Sequence, residues 1–162
     1  MSENIPDLRS IARARAYAEL KDHAGAILDG ITDEVAGMAT IAALVHHSLG
    51  FLWTGFYRVV ETGAMLRVGP YQGSLGCLEI EFGRGVCGKA AATAETVIVP
   101  DVQAFEGHIA CDARARSEIV VPVFDREHRL IAVLDVDSEH VDTFGSEDKK
   151  GLEGLVSWFT TI

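Results

Sequence analysis

The chain has 162 residues, of which 48% are apolar, and 14 Lys and Arg against 24 Asp and Glu give a formal charge of −10. This charge repels phosphate backbones and argues against a nucleic-acid partner, and no apolar run approaches the ~20 residues of a membrane span. The first ten residues show no basic segment followed by an apolar run, so we expect no signal peptide, no membrane contact and a cytoplasmic protein. The length fits one domain that buries its own core.

The first fifty residues predict two helices. Apolar residues recur at three- and four-residue steps through the first helix, and Gly30 is expected to end it. Thr32 is predicted to cap the second helix and Gly50 to end it. The apolar face of the second helix is predicted to consist of Val35, Met38, Ala39, Ala42 and Val45.

Two groups of three strands follow. Residues 51–60 and 64–73 are rich in aromatic and β-branched types and predict a hairpin around an ETGA turn, with Pro70 suited to an edge or a strand end. A short third strand is predicted over 78–82. The glycines of GRGVCG predict a loop and the alanines after it a short helix. Three more strands are predicted at 96–101, 117–124 and 129–138.

The end of the chain predicts one more helix. Ser146 is expected to cap it, with an inner face formed by Leu152, Leu155, Val156 and Phe159. Consecutive strands joined by short turns pair antiparallel, and helices must cover one face of the sheet. The predicted class is therefore α+β in one domain, with helices at about 7–49, the sheet and its loops at about 51–138, and the last helix at about 146–162.

Three cysteines, Cys77, Cys87 and Cys111, fall within 35 positions. An odd number without a secretory signal argues against a structural disulfide framework. Free cysteines are commonly buried small hydrophobes, but all three lie beside glycine or in loop-like sequence, which favours redox chemistry. A zinc site is less favoured, because its ligands are typically spaced Cys-x₂₋₄-Cys, and here His108 is the only nearby histidine.

Acidic residues mark the last predicted strand. Strand alternation places Asp135 and Asp137 on the same face, where they repel each other and attract a cation or a proton. A solvated strand end is the plain alternative. Glu118 begins another strand, and by position alone it is more often simply solvated.

Taken together, GPYQG, GVCG, VPDV, GHIACD, SEIVVP and LDVDS resemble the free methionine-(R)-sulfoxide reductases, which are stand-alone GAF-domain enzymes. The resemblance runs from about Trp53 to Ser138. It implies a single GAF domain over 1–162 that reduces free L-methionine-(R)-sulfoxide to L-methionine, as repair after oxidative stress, without a metal or a cofactor. It also implies thioredoxin as reductant and leaves a homodimer open. The alternative is a non-catalytic GAF domain that senses a ligand or the redox state.

The resemblance assigns roles to individual residues. Cys111 matches the nucleophile, Cys77 the usual resolving cysteine, and Cys87 a third cysteine whose part in the chemistry stays open. The substrate pocket is implied to be lined by acidic and aromatic side chains, namely Glu118, Asp135, Asp137, Trp53 and Tyr57.

Sulfoxide reduction explains why such residues are needed. A thiolate attacks the sulfur while an acid protonates the oxygen, and the resulting sulfenic acid condenses with a second thiol to a disulfide that an outside dithiol reduces. Cys111, Cys77 and Glu118 supply this minimum set, provided that burial or a nearby carboxylate raises the pKa of Glu118.

The same pattern predicts how the substrate is held. Asp135 and Asp137 are expected to clamp its ammonium group, while Trp53 and Tyr57 enclose its side chain. Backbone N–H groups of residues 83–88 are expected to bind its carboxylate.

Overall fold

The computed structural model describes residues 4–61 and 63–162. Its helices are α1 (Arg13–Ile27), α2 (Glu34–Leu49), α3 (Gly85–Thr93) and α4 (Ser146–Val156). Its strands are β1 (Trp53–Glu61), β2 (Met65–Gln72), β3 (Glu79–Glu81), β4 (Val97–Val99), β5 (Ser117–Phe124) and β6 (Leu130–Ser138). The order of these elements confirms the predicted order. No helix in the described ranges is long and apolar enough to cross a membrane.

Two predictions fall partly outside the described residues. The ETGA turn includes Thr62, and the expectation about the N-terminus includes residues 1–3. The first helix begins at Arg13 rather than near residue 7. The last helical region divides into α4 and a 3₁₀ helix at Ser157–Thr161.

The six strands form one antiparallel sheet in the order β3-β2-β1-β6-β5-β4. β1 and β6 lie at its centre. β3 pairs only with the Met65–Arg67 part of β2, so Pro70 lies where β2 has no partner on that side and needs no N–H for the sheet. The α+β class with a central antiparallel sheet is therefore confirmed.

The two faces of the sheet bury different sets of side chains. One face packs against α1, α2 and α4 in the main core, to which the sheet contributes Phe56, Ile119, Val121, Val123, Ala132, Leu134 and Val136. The opposite face packs against α3 and the loops around it, and its apolar members include Trp53, Tyr57, Leu66, Val120 and Val133. Because neighbouring residues of a strand point to opposite faces, each strand supplies both.

Helix α2 differs from its prediction at its first turn. Asp33, not Thr32, is the N-cap, because its carboxylate accepts a 2.7 Å hydrogen bond from the N–H of Ala36. Val35 and Ala39 are exposed, so their assignment to the buried face was wrong. Gly50 ends the helix in the left-handed conformation, with φ of 72°, as predicted.

Helix α3 contains the GVCG motif that the sequence placed in a loop. Gly83 and Gly85 have φ of 81° and 60° and shape the turn that leads into the helix. Gly88 lies within the helix for a different reason, since a side chain there would collide with the carbonyl oxygen of Glu81. Cys87 is therefore a helical residue and not a loop residue.

Helix α4 also differs from its prediction at its first turn. Ser146 is its first helical residue, and Gly145 occupies the cap position. The N–H of Gly145 donates a 2.9 Å hydrogen bond to the carboxylate of Asp148 in the first turn. The buried positions predicted for this helix are confirmed.

Candidate active site

The antiparallel register gathers polar side chains on the α3 face of the sheet. In β6, Asp137 pairs with Trp53 of β1 on one side and with Glu118 of β5 on the other. Asp135, two residues earlier, shares their face. Three acidic groups from two strands thus lie under the first turn of α3.

Two segments between strands carry the remaining cysteines. Residues 73–78, the Cys77 segment, connect β2 to β3, and residues 105–116, the Cys111 segment, precede β5. Cys77 and Cys111 are joined by a disulfide with a Cα–Cα distance of 5.4 Å. Cys111 is exposed and Cys77 is half-buried, so an external thiol can reach this bond.

A narrow pocket opens between α3, the Cys111 segment and the sheet. Its lining combines thiols, acids and a few apolar side chains. Among these residues are Cys87, Cys111, Glu118, Asp135 and Asp137. The residues that the sequence singled out for chemistry therefore largely converge on one pocket.

The acids of the pocket hold protons more tightly than ordinary carboxyls. Burial raises the pKa of Glu118 well above its usual value, and the charge of Asp137 adds to the rise. Burial and then the charge of Glu118 raise the pKa of Asp135 in the same way. Loss of hydration and the charge of Asp135 raise the pKa of Asp137. Water reaches part of the Asp137 side chain, whereas Glu118 and Asp135 are buried.

One oxygen of Asp135 has no hydrogen-bond partner although it is buried. A buried carboxylate oxygen without a donor is costly. Burial therefore favours the protonated forms of Asp135 and Glu118, and a cationic group bound beside them can replace the protons.

Cys87 lies directly against the acids. Its Sγ is 4.0 Å from Oε1 of Glu118, and it is the free cysteine of the chain. Burial, followed by the charges of Asp135 and Glu118, raises the pKa of this thiol well above its usual value. A thiol that stays protonated is a poor nucleophile.

Ligand atoms of Cys87, Glu118 and Asp135 lie within 4.8 Å of one another, which is close enough to share a cation. The pKa of each of the three is raised, so a metal ion would have to displace protons to bind. The same arrangement also suits an organic ammonium group, which needs acceptors but no thiolate.

Trp53 and Tyr57 occupy a neighbouring position. Their rings stack with centroids 5.6 Å apart, and both are almost completely buried. They lie beneath the Cys77 segment, since a side chain at Gly76 would approach the Tyr57 hydroxyl and the Trp53 ring within about 3 Å. With the disulfide closed, the Cys77 segment therefore covers them, and they are not among the residues that line the pocket.

Sequence reasoning missed several residues of the site. His108, weighed only as a zinc ligand, places Nε2 3.5 Å from Oε2 of Glu118, and burial lowers the pKa of this histidine. Arg84 adds a cation to the pocket lining. Ser74 and Asp112 connect the two cysteine segments through a 2.6 Å hydrogen bond. Position in sequence gives no signal for such contacts, since the two partners lie 38 residues apart.

Known proteins resemble this chain in sequence and in fold. The GAF domain family model matches residues 33–160. The free methionine-R-sulfoxide reductase of Escherichia coli (strain K12) is 41% identical over 142 residues, which cover 87% of this chain and 84% of that protein. The enzyme of the same name from Saccharomyces cerevisiae is 40% identical over 134 residues, 78% of this chain and 74% of the relative.

A solved structure extends the likeness to three dimensions. The X-ray structure of free methionine-R-sulfoxide reductase from Neisseria meningitidis, in complex with its substrate, superposes with a TM-score of 0.90. It is 40% identical, and the alignment covers 96% of this chain and 93% of that one.

Proposed function

The chain belongs to the GAF domain family and, within it, to the free methionine-R-sulfoxide reductases, and from this premise we propose that it reduces free L-methionine-(R)-sulfoxide by a cysteine sulfenic acid mechanism. The observation that carries the mechanism is the disulfide between Cys77 and Cys111 beside a pocket that contains three acids. The disulfide, the pocket and the candidate proton donors therefore lie close together.

The first step transfers the oxygen from the substrate to Cys111. The sulfur of Cys111 attacks the sulfoxide, a new S–O bond forms on Cys111 as the S–O bond of the substrate breaks, and methionine leaves while the cysteine, with the proton on its oxygen, becomes a sulfenic acid. The cysteine is oxidised and the substrate sulfur is reduced by two electrons. Glu118 is the candidate acid for the sulfoxide oxygen, because its raised pKa keeps a proton available near neutrality.

The second step forms the disulfide. The Cys77 sulfur attacks the sulfur of the Cys111 sulfenic acid, the S–O bond breaks, and the departing hydroxide takes the Cys77 proton to become water. A protein dithiol, which we propose to be thioredoxin, then reduces the disulfide by exchange and is itself oxidised. The exposed position of Cys111 suits this exchange. Such a cycle requires a reducing compartment, which we take to be the cytoplasm, and serves repair after oxidative stress without a cofactor.

Both charged ends of a free amino acid have candidate partners. The ammonium group can neutralise Asp135 and Asp137, including the buried oxygen of Asp135 that lacks a donor. The carboxylate faces Arg84 and the first turn of α3, where Gly85, Val86 and Cys87 line the pocket. The first N–H groups of a helix have no partner within it and favour anions. A sulfoxide inside a polypeptide has neither charged end.

A coupled assay tests the proposal. Thioredoxin, thioredoxin reductase and NADPH are mixed with the purified chain, and NADPH consumption is followed with free L-methionine-(R)-sulfoxide and with its N-acetyl derivative as matched control. We expect turnover with the free form and at least about tenfold lower kcat/KM with the blocked amine, since hydrogen bonds to charged groups contribute ~1.5–3 kcal/mol. Equal values for the two substrates would refute the ammonium clamp. Ligand binding without NADPH consumption would instead indicate a sensor.

A further inference from the structure

The Cys77 and Cys111 segments are joined by a second contact besides the disulfide. The Ser74 hydroxyl donates a 2.6 Å hydrogen bond to Oδ2 of Asp112, the residue after Cys111. Ser74 is three residues before Cys77. A contact this close to both sulfurs fixes where one segment lies relative to the other.

The acceptor of this bond is held in place by its own segment. Arg114 donates three hydrogen bonds to the Asp112 carboxylate, from its backbone N–H at 2.9 Å, from Nε at 3.1 Å and from Nη2 at 2.7 Å. Arg114 also lies 3.8 Å from Glu139. The side-chain hydrogen bonds from Arg114, followed by that from Ser74, lower the pKa of Asp112 below its ordinary range, so it is ionised at physiological pH. The carboxylate therefore stays oriented whether or not Ser74 is near it.

The donor is also positioned. The indole N–H of Trp53 donates a 3.0 Å hydrogen bond to the carbonyl oxygen of Ser74, which fixes the backbone of the Cys77 segment against β1. Leu75 and Leu78, on either side of Cys77, are 83% and 74% exposed and pack little, whereas Gly76 lies against Trp53 and Tyr57. These contacts hold the Cys77 segment on the sheet, and the hydrogen bond from Ser74 to Asp112 links it directly to the Cys111 segment.

We propose that Ser74 and Asp112 form a polar latch that positions Cys77 for attack on the oxidised Cys111. The latch rests on the proposed function and concerns only the step after methionine has formed. In that step the Cys77 thiol attacks the Cys111 sulfenic acid, the disulfide forms, and water leaves. Holding the two sulfurs together raises their effective concentration. A single hydrogen bond can also break, so the segment can withdraw while the substrate reacts with Cys111.

The test uses the full chain with Ser74→Ala and two matched controls. Ser74→Thr keeps the hydroxyl, and Ser157→Ala removes a hydroxyl that donates to the Gly154 carbonyl at the end of α4. In single-turnover rapid-quench experiments, we measure methionine formed, sulfenic acid trapped by dimedone, and disulfide by mass spectrometry. For Ser74→Ala we expect unchanged methionine formation and a disulfide-forming rate lower by about tenfold, equivalent to about 1.4 kcal/mol. Both controls should retain the wild-type rate.

An equilibrium measurement tests the same contact. In glutathione redox buffers, the disulfide of Ser74→Ala should be reduced more readily than that of the wild type, while Ser157→Ala leaves it unchanged. Three results would overturn the latch: an unaltered rate of disulfide formation, an equal slowing of methionine formation, or a loss in Ser74→Thr as large as in Ser74→Ala.

Failure of the latch and failure of the proposed function are separable. Hydrogen peroxide converts the Cys111 thiol to a sulfenic acid and is itself reduced to water, so disulfide formation can be followed without sulfoxide. A wild-type chain that releases no methionine from the sulfoxide would refute the function. The peroxide-started rates of Ser74→Ala and wild type would still decide the latch.

Discussion

The two faces of the sheet are built from alternate residues of the same strands, yet they serve opposite purposes. In β6, Leu134 and Val136 are buried in the main core against α1, α2 and α4, while Asp135 and Asp137 face α3. The main-core face buries apolar side chains, which stabilises the fold. The α3 face buries acids whose raised pKa values record an unfavourable environment for their charges.

The contrast between an apolar face and an acidic face explains how the fold tolerates the burial of three acids. Three acids and a thiol confined to one side of the sheet destabilise it, and the large apolar face on the other side offsets that cost. Substitutions on the two faces should therefore separate activity from stability.

The largest effect on activity is expected from the α3 face. Cys111→Ser replaces the proposed nucleophile with a hydroxyl that cannot form a sulfenic acid, so turnover should fall to the level of the assay without enzyme. The thermal midpoint of the dithiothreitol-reduced protein should barely change, because Cys111 is exposed. Single-turnover methionine formation and calorimetry check the two statements, and substantial methionine formation by this variant would assign the nucleophile elsewhere.

The largest effect on stability is expected from the main-core face. Leu134 is completely buried, so Leu134→Ala should lower the free energy of unfolding by about 2–5 kcal/mol. Its kcat/KM at low temperature should stay within about threefold of wild type, because the side chain points away from the pocket. Urea unfolding measures the loss, with Leu75→Ala, at a position 83% exposed, as the control that should leave stability unchanged. A large loss of activity in folded Leu134→Ala would contradict the separation of the two faces.

The sequence predicts the two faces of the sheet better than it predicts the contacts between the Cys77 and Cys111 segments. Strand alternation is local, so it places Asp135 and Asp137 on one face and Leu134 on the other. Glu118 joins them through strand pairing, which the sequence alone does not reveal. The family resemblance, and not the position of Glu118 in its strand, predicted that this residue lines the pocket.

Residues outside regular patterns were harder to predict. The glycines near Cys87 predict a loop, but Gly88 lies in α3, where the close approach of the helix to Glu81 requires a glycine. Thr32 and Asp33 are both good N-caps, and only the backbone geometry selects Asp33. The contact of Ser74 with Asp112 depends on how two separate segments fold over the sheet.

Asp135→Asn should change the stability of the fold and the binding of the substrate in opposite directions. Burial and the charge of Glu118 raise the folded-state pKa of Asp135. The carboxyl therefore favours folding most below its unfolded pKa of about 3.9, and this contribution is lost as the pH rises through the folded-state value. The amide resembles the protonated acid at every pH.

Stability of Asp135→Asn, measured without substrate, should thus exceed that of wild type at neutral pH and approach it near pH 4. The thermal midpoint rises by about 2–4 °C for each kcal/mol gained in a chain of this size. KM should rise about tenfold, since one charged partner of the ammonium is removed. Calorimetry from pH 4 to 8 and steady-state kinetics test this, and a stability difference that shrinks with rising pH would show that Asp135 is ionised with a favourable partner.

The smallest effect is expected at Cys87, and it decides what the third cysteine does. Burial, followed by the charges of Asp135 and Glu118, raises the pKa of its thiol, so it is poorly suited to attack the Cys111 sulfenic acid. The disulfide already joins Cys77 to Cys111. Cys87→Ala should therefore keep kcat with thioredoxin within about threefold of wild type and lower stability by about 1 kcal/mol, the usual size of a small core truncation.

Cys77→Ser is the matched comparison for Cys87→Ala. It should still release one methionine per chain but stop multiple turnover, because the remaining thiol, Cys87, has a raised pKa and is a poor nucleophile. If Cys87→Ala lost multiple turnover while Cys77→Ser kept it, the resolving thiol would be the buried one. The buried thiol of α3 would then take part in every cycle, and Cys77 would not be the resolving cysteine.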